Sequence, residues 1–247
     1  MPRRPRITEV GFHHIIARGV DKRDVFTDEK CFETFLSLLK SVSIEYKITI
    51  HAFCLMTNHY HILLETTQDN LSHAARKLNS CYATWFNAKH ERSGHLWQGR
   101  YLSYYISDET HFWTVAKYIE RNPIAAHCVD KIAQYPYQSY FIRLHPHHPF
   151  ESLIEESKIF SMEIKDYESF IETPLATEFR KMIYNIPRPN KHTREKAYLR
   201  KSIASFFEDS TCTRNDAIKD AYTYGYTKSA IAEYLALSKM AITKILK

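Results

Sequence analysis

Glycine is scarce in this chain, with five in 247 residues. That scarcity excludes a glycine-rich loop wrapped around nucleotide phosphates and predicts a chain built mostly of regular structure. Cysteine is scarce too. Cys31, Cys54, Cys81, Cys128 and Cys212 are odd in number, scattered and without a CxxC pair. This excludes a disulfide framework and a cysteine zinc knuckle, and predicts a reducing, cytoplasmic setting. No run approaches the roughly 18 apolar residues of a membrane span. The start, "MPRRPRITEV", carries arginines with no apolar run behind them, unlike a secretory signal.

What is present is ordinary for a soluble fold. Hydrophobic residues make up 44% of the chain and mean hydropathy is −0.43, enough for one full core plus a smaller partner. Charge is unevenly spread: +4 over residues 1–150, −4 over 151–187 and +6 over 188–247. A basic body, an acidic middle and a basic tail suit two nucleic-acid-facing modules joined by a segment that is not one. A solvated surface with uneven charge would give the same totals.

Periodicity sets the order of elements. "GFHHIIARG" (11–19) reads as a strand. "TDEKCFETFLSLLKSVSIEY" (27–46) is capped and acidic at its start, and spaces Phe32, Phe35, Leu36 and Leu39 as a helix does. "KITIHAFCLM" (47–56) and "HYHILLE" (59–65) are strands about a short polar turn. A long helix follows over 71–90, then the strand-like "RYLSYYIS" (100–107) and a helix that stops at Pro123. The order β-α-β-β-α-β predicts an α+β fold: a ferredoxin-like, split-βαβ antiparallel sheet with both long helices on one face and the other face free for a site. Three regions are expected, over 1–145, 146–187 (an acidic helical connector) and 188–247. The last is all-helical, with two short helices hinged at "ALS" and Ser238 capping the second. That pattern fits a helix-turn-helix or a plain helical hairpin; Lys239, Lys244 and the basic tail favour DNA contact.

The chemistry starts at "TNHYHILLE" (57–65). Strand alternation puts Tyr60, Ile62 and Leu64 on one face and His59 and His61 together on the other, a spacing that suits one divalent cation. A bare His-x-His is more often plain surface, so a third ligand and a reactive group must face it. On the helix before Pro123, Tyr118 and Asn122 stand one turn apart, beside the apolar stripe of Phe112, Val115, Ala116 and Ile119. An amide oxygen can complete a metal site and a phenol can act as nucleophile, although a tyrosine on such a helix is usually packing.

Six segments in order carry a resemblance: "MPRRPRI", "ARGVDKRDVFTDE", "MTNHYHILLE", "LWQGRYLS", "YIERNPIAA" and "YPYQSY". Together they resemble the REP-associated tyrosine transposases, of the single-tyrosine HUH class (His, hydrophobe, His). The resemblance runs through the first 140 residues or so. It implies that His59, His61 and Asn122 hold a catalytic divalent metal, Mg²⁺ or Mn²⁺, and that Tyr118 attacks a phosphodiester of single-stranded DNA through a covalent 5′-phosphotyrosine. It also implies hairpin DNA with REP-like palindromes as partner, a monomer or homodimer, no membrane, and a bacterial cytoplasmic, nucleoid-associated location. Thr57 stands where the family usually has proline, and Val20 and Ala125 replace a polar and a basic residue, which bears on DNA preference.

Arg18, Arg100, Lys117 and Arg121 flank these motifs and are expected on DNA phosphates. Arg3, Arg4 and Arg6 are expected to form a basic arm, and Lys239 and Lys244 to meet duplex DNA. Trp97, Tyr101, Tyr104 and Tyr105 offer rings for unpaired bases or for packing. The alternative to an enzyme is a domesticated transposase that recognises DNA and regulates without cutting it.

Overall fold

The structure is a computed structural model and describes residues 9–175, 203–207, 213–224, 226 and 228–246. The chain divides into two compact units, Met1–Tyr184 and Asn185–Lys247.

In the first unit β1 (Gly11–Arg18), β2 (Ile48–Met56), β3 (His59–Thr66) and β4 (Leu102–Tyr105) form one antiparallel sheet in the order β2-β3-β1-β4. With α1 (Glu29–Tyr46) after β1 and α2 (Leu71–Lys89) after β3, this is the ferredoxin-like arrangement the pattern predicts. Asp28 caps α1, its carboxylate accepting from the Cys31 N–H at 3.1 Å. Lys47 ends that helix in the left-handed region (φ 53°) and turns the chain into β2. Phe35, Leu36 and Leu39 of α1 and Leu71, Leu78 and Tyr82 of α2 pack on Ile15, Phe53, Tyr60 and Ile62 of the sheet. The Tyr82 hydroxyl donates to the Val25 carbonyl at 2.5 Å, so the largest ring in this layer is also satisfied.

The second sheet face differs from the expected open one. α3 (Glu109–Glu120), α4 (Asn122–Ala125), α5 (Ser139–Leu144) and α6 (Ile164–Glu172) cover it on the β2 side. Phe112, Val115, Ala116, Ile119, Tyr140, Tyr167 and Ile171 bury Ala52, Cys54 and Leu63 there. The cause lies in β2, where a bulge about His51 leaves small or apolar residues on both faces, a surface water would not tolerate. Leu153 and Ile154 enter the first core and Ile159, Tyr167 and Ile171 the second, so the first unit runs past the expected limit at 145. The prolines of "NIPRPNKHT" lie outside the described residues.

In the second unit, α7 (Arg214–Tyr224), α8 (Lys228–Tyr234) and α9 (Lys239–Ile245) pack about Ile218, Ala221, Ile231 and Ile242. Ser238 caps α9 through the Ala241 N–H at 3.2 Å, as its position predicts. No helix among the described residues is long and apolar enough to cross a membrane.

Candidate active site

Three elements position the site. The β2–β3 hairpin turns on Thr57 and Asn58, and the Thr57 carbonyl accepts from the Val25 and Phe26 N–H groups at 2.7 and 2.9 Å. β3 leaves this turn with His59 and His61 on the face that carries α3. α3 is capped by Asp108, whose carboxylate accepts from the His111 N–H at 2.8 Å, and runs on past Arg121 into α4. Pro123 sits in the first turn of α4, where a missing N–H leaves nothing unpaired.

The structure brings His59, His61, Tyr118 and Asn122 together. The rings of His59 and His61 lie 5.0 Å apart, and the Tyr118 ring meets His61 edge-on at 5.4 Å. Asn122 donates from Nδ2 to the Tyr118 carbonyl at 3.1 Å, which leaves its oxygen free of that bond, and its side chain lies beside His59. His61 and Asn122 are buried, whereas His59 and Tyr118 are half-buried. Burial, with Arg18 nearby, holds the His59 imidazole down at about 4; burial and the neighbouring His14 keep His61 well below its ordinary value. Both rings are therefore neutral at pH 7, the form a cation needs.

His59 Nδ1 lies 2.6 Å from Asn58 Oδ1, an acceptor only, so Nδ1 carries the proton and Nε2 a lone pair. That lone pair and the Asn122 oxygen, whose amide nitrogen is engaged by the Tyr118 carbonyl, are both acceptors of the kind a cation needs. The donor set of two imidazole nitrogens and one amide oxygen thus fits a divalent metal. Among the described residues, the one group of three His, Cys, Asp or Glu donors close enough to share an ion lies elsewhere, at Asp28, Cys31 and His90. There the Lys89 ammonium already sits 2.6 Å from both Asp28 oxygens, and that ion pair supplies the cation.

Other anticipated residues part company. Arg18 is exposed beside the histidines, opposite His59 in the β1–β3 pairing, and Arg100 is exposed on the strand-4 approach. Lys117 is buried, with its ammonium 4.7 Å from the centre of the Phe170 ring. Arg121 donates to the Ile171 and Glu172 carbonyls at 2.8 and 2.6 Å, closing the end of α6. Both cations are thus engaged within the protein. Trp97 donates to the Asn79 carbonyl and packs on Tyr60 and Tyr82, and Tyr101 is buried. Of the four aromatics, Tyr104 is the one beside the histidines, 6.0 Å from the His14 ring, while Tyr105 packs on His13. Arg3, Arg4 and Arg6 lie outside the described residues. Lys239 and Lys244 are exposed on α9 of the second unit.

Sequence reasoning passed over His14, Asn58 and Glu120. Once β1 is set beside β3, alternation puts His14 on the face of His61, and this signal was available in "GFHH".

The ferredoxin-like sheet thus presents paired imidazoles to a helical tyrosine. Residues 10–122 match the family model of IS200-like transposases. No curated protein matches the chain. Among solved structures it is similar to a REP-associated tyrosine transposase bound to a REP hairpin, at 16% identity and TM-score 0.49 over 61% of this chain and 88% of that one. A candidate transposase from Deinococcus radiodurans R1 is similar at 19% identity and TM-score 0.35, over 49% and 97%. The tRNA(His) guanylyltransferase of Saccharomyces cerevisiae follows at 12% identity and TM-score 0.37, over 84% and 96%.

Proposed function

We propose that the chain nicks and rejoins single-stranded, hairpin-forming DNA through Tyr118, with His59, His61 and Asn122 holding a divalent cation, Mg²⁺ or Mn²⁺. One observation carries the reading: the phenol stands edge-on to His61 at 5.4 Å, while Asn122, one turn along, bonds the Tyr118 carbonyl and lies beside His59. A phenol is a poor nucleophile unaided, so it must be held in line with a phosphate whose charge is offset. The cation's part, when bound, is to neutralise charge on the phosphate oxygens.

The protein does the rest. Asn122 fixes the helical turn from which the Tyr118 ring projects. Arg18, exposed beside His59 and His61, supplies a fixed positive charge for the DNA backbone. In the step, the Tyr118 Oη–P bond forms and the P–O3′ bond breaks. The phenol loses one proton and the released 3′-oxygen gains one, so the exchange is balanced. The 5′-phosphotyrosine keeps the energy of the broken ester, and rejoining therefore needs no nucleotide cofactor. REP-like palindromes are the hairpins we infer as substrate, with duplex DNA a further partner through α9.

The test is a labelled single-stranded hairpin incubated with the protein and Mn²⁺, then run on a denaturing gel. A protein–DNA adduct is expected, lost on the order of 10³-fold or more in Tyr118→Phe and in His59→Ala. Cleavage surviving Tyr118→Phe would replace this reading with a hydrolase. Tight specific binding with no cut strand would replace it with a regulator.

A further inference from the structure

His61 has a second histidine behind it. Its Nδ1 lies 2.9 Å from His14 Nε2, and the two rings stack at 5.1 Å. β1 and β3 are neighbours with Ile16 opposite His61, so His14 sits diagonally across the strand pair and the sheet itself sets the distance.

We propose that His14 is a positioning residue, whose Nε2 accepts the His61 Nδ1 proton and so fixes the tautomer that presents His61 Nε2 to the cation. This rests on the metal reading given above. One hydrogen bond between two neutral imidazoles can run either way. If His14 donated, His61 would carry its proton on Nε2 and have no lone pair to offer a cation. A ligating His61 therefore requires His14 to accept, with its own proton on Nδ1.

Two further observations agree. His59 is arranged alike, with Nδ1 on Asn58 Oδ1, so both imidazoles have Nδ1 tied back and Nε2 left over. His14 also comes at a cost to the fold. It is fully buried, and its Nδ1 has no hydrogen-bond partner. An aliphatic residue would suit this strand position better, and a polar side chain retained with one atom unsatisfied is the mark of a role beyond packing.

The experiment pairs Mn²⁺ titration calorimetry with ¹⁵N NMR of histidine-labelled protein, without metal and with diamagnetic Mg²⁺. His14→Ala is expected to weaken Mn²⁺ binding by about 10- to 100-fold. His14→Gln, whose amide oxygen can still accept, should recover most of that loss. With Mg²⁺ bound, His61 should be protonated on Nδ1 and His14 on Nδ1. A His14 proton found on Nε2 in the loaded protein overturns the proposal, and this readout on the unsubstituted chain stands whether or not His14→Ala folds. So does a His14→Ala that binds Mn²⁺ as the parent does while His59→Ala does not. Should His59→Ala also bind as the parent does, the metal reading itself fails and takes this one with it.

Discussion

Glu120 Oε1 and Ser139 Oγ stand 2.5 Å apart in the covered sheet face, both fully buried. The hydroxyl also faces the Phe53 carbonyl at 3.3 Å and accepts from the Phe53 N–H at 2.9 Å. One hydroxyl proton cannot serve both the carbonyl and a carboxylate. A protonated Glu120 removes the conflict: it donates to Ser139, and Ser139 donates to Phe53. Burial accordingly pushes the Glu120 carboxyl up to about 7, despite the contact with Ser139 and bonds from the Tyr140 N–H and the Tyr167 hydroxyl. Glu120 is two residues from Tyr118 and from Asn122, so this knot ties α3 to β2 and α5.

A pH dependence follows from that carboxyl. Its folded value lies above the unfolded 4.5, so folding takes up a proton in between. The stabilisation is fully present below about 4.5 and is lost as pH rises through about 7. Denaturant titrations from pH 5 to 8.5 should show the parent losing up to about 3 kcal/mol relative to Glu120→Gln over this range. The glutamine amide mimics the protonated acid. His51, held down to about 4 by burial, acts in the opposite sense, losing its contribution as pH falls below its ordinary 6.5. It is common to both proteins and cancels in the difference. A pH-independent gap between them would count against the raised carboxyl.

Two arginines beside the site should behave differently. Arg121 closes α6 through two carbonyls. Arg121→Ala should therefore cost about 1–3 kcal/mol of stability, while the salt dependence of DNA binding stays as it was. Arg18 is exposed, and Arg18→Ala should leave stability within about 0.5 kcal/mol. Its loss should instead make the salt slope of single-strand binding shallower by about 0.7. Filter binding across a salt series, alongside denaturant melts, reads both. The opposite assignment of effects would mean that Arg121 leaves its helix end to bind DNA.

The second unit allows a separate test. Lys239 and Lys244 are exposed on α9, and Met240 between them is 83% exposed. If α9 meets duplex DNA, Lys239→Glu with Lys244→Glu should weaken duplex binding by the full chain about 10-fold or more and leave hairpin cleavage by Tyr118 intact. Fluorescence anisotropy on duplex and hairpin probes separates the two. Unchanged duplex affinity would leave the unit as a plain helical hairpin.

Much of the fold was legible in the sequence because period-2 and period-3.6 patterns report burial directly. β3 is the clearest case, with Tyr60, Ile62 and Leu64 under the helices and His59 and His61 opposite. The site was legible as far as spacing reaches: His-x-His on a strand, and Tyr and Asn one turn apart on a helix. What spacing does not report is which strands neighbour each other, and so His14 was passed over. Nor does it report what covers a sheet. The acidic charge over 151–172 disguised an apolar stripe of Leu153, Ile154, Ile159, Tyr167 and Ile171 that lies against the sheet and its helices. Nor does charge report the contacts of Lys117 and Arg121, which lie against a ring and a helix end.

Metal binding should also register as stability, since His59, His61 and Asn122 come together in the folded chain alone. A ligand that binds only the folded state stabilises it by RT ln(1 + [L]/Kd), about 2.7 kcal/mol at a hundred times Kd. Saturating Mn²⁺ should raise the melting temperature of the chelator-treated protein, and chelator added back should reverse the rise. The gain should persist in Tyr118→Phe, because the phenol is not among the ligands, and vanish in His59→Ala. It should also shrink as pH falls towards about 4, where the His59 imidazole begins to take up a proton that competes with the cation. A shift that survives His59→Ala would place the bound ion elsewhere, and the Asp28, Cys31 and His90 group would then be the place to look, by Cys31→Ser.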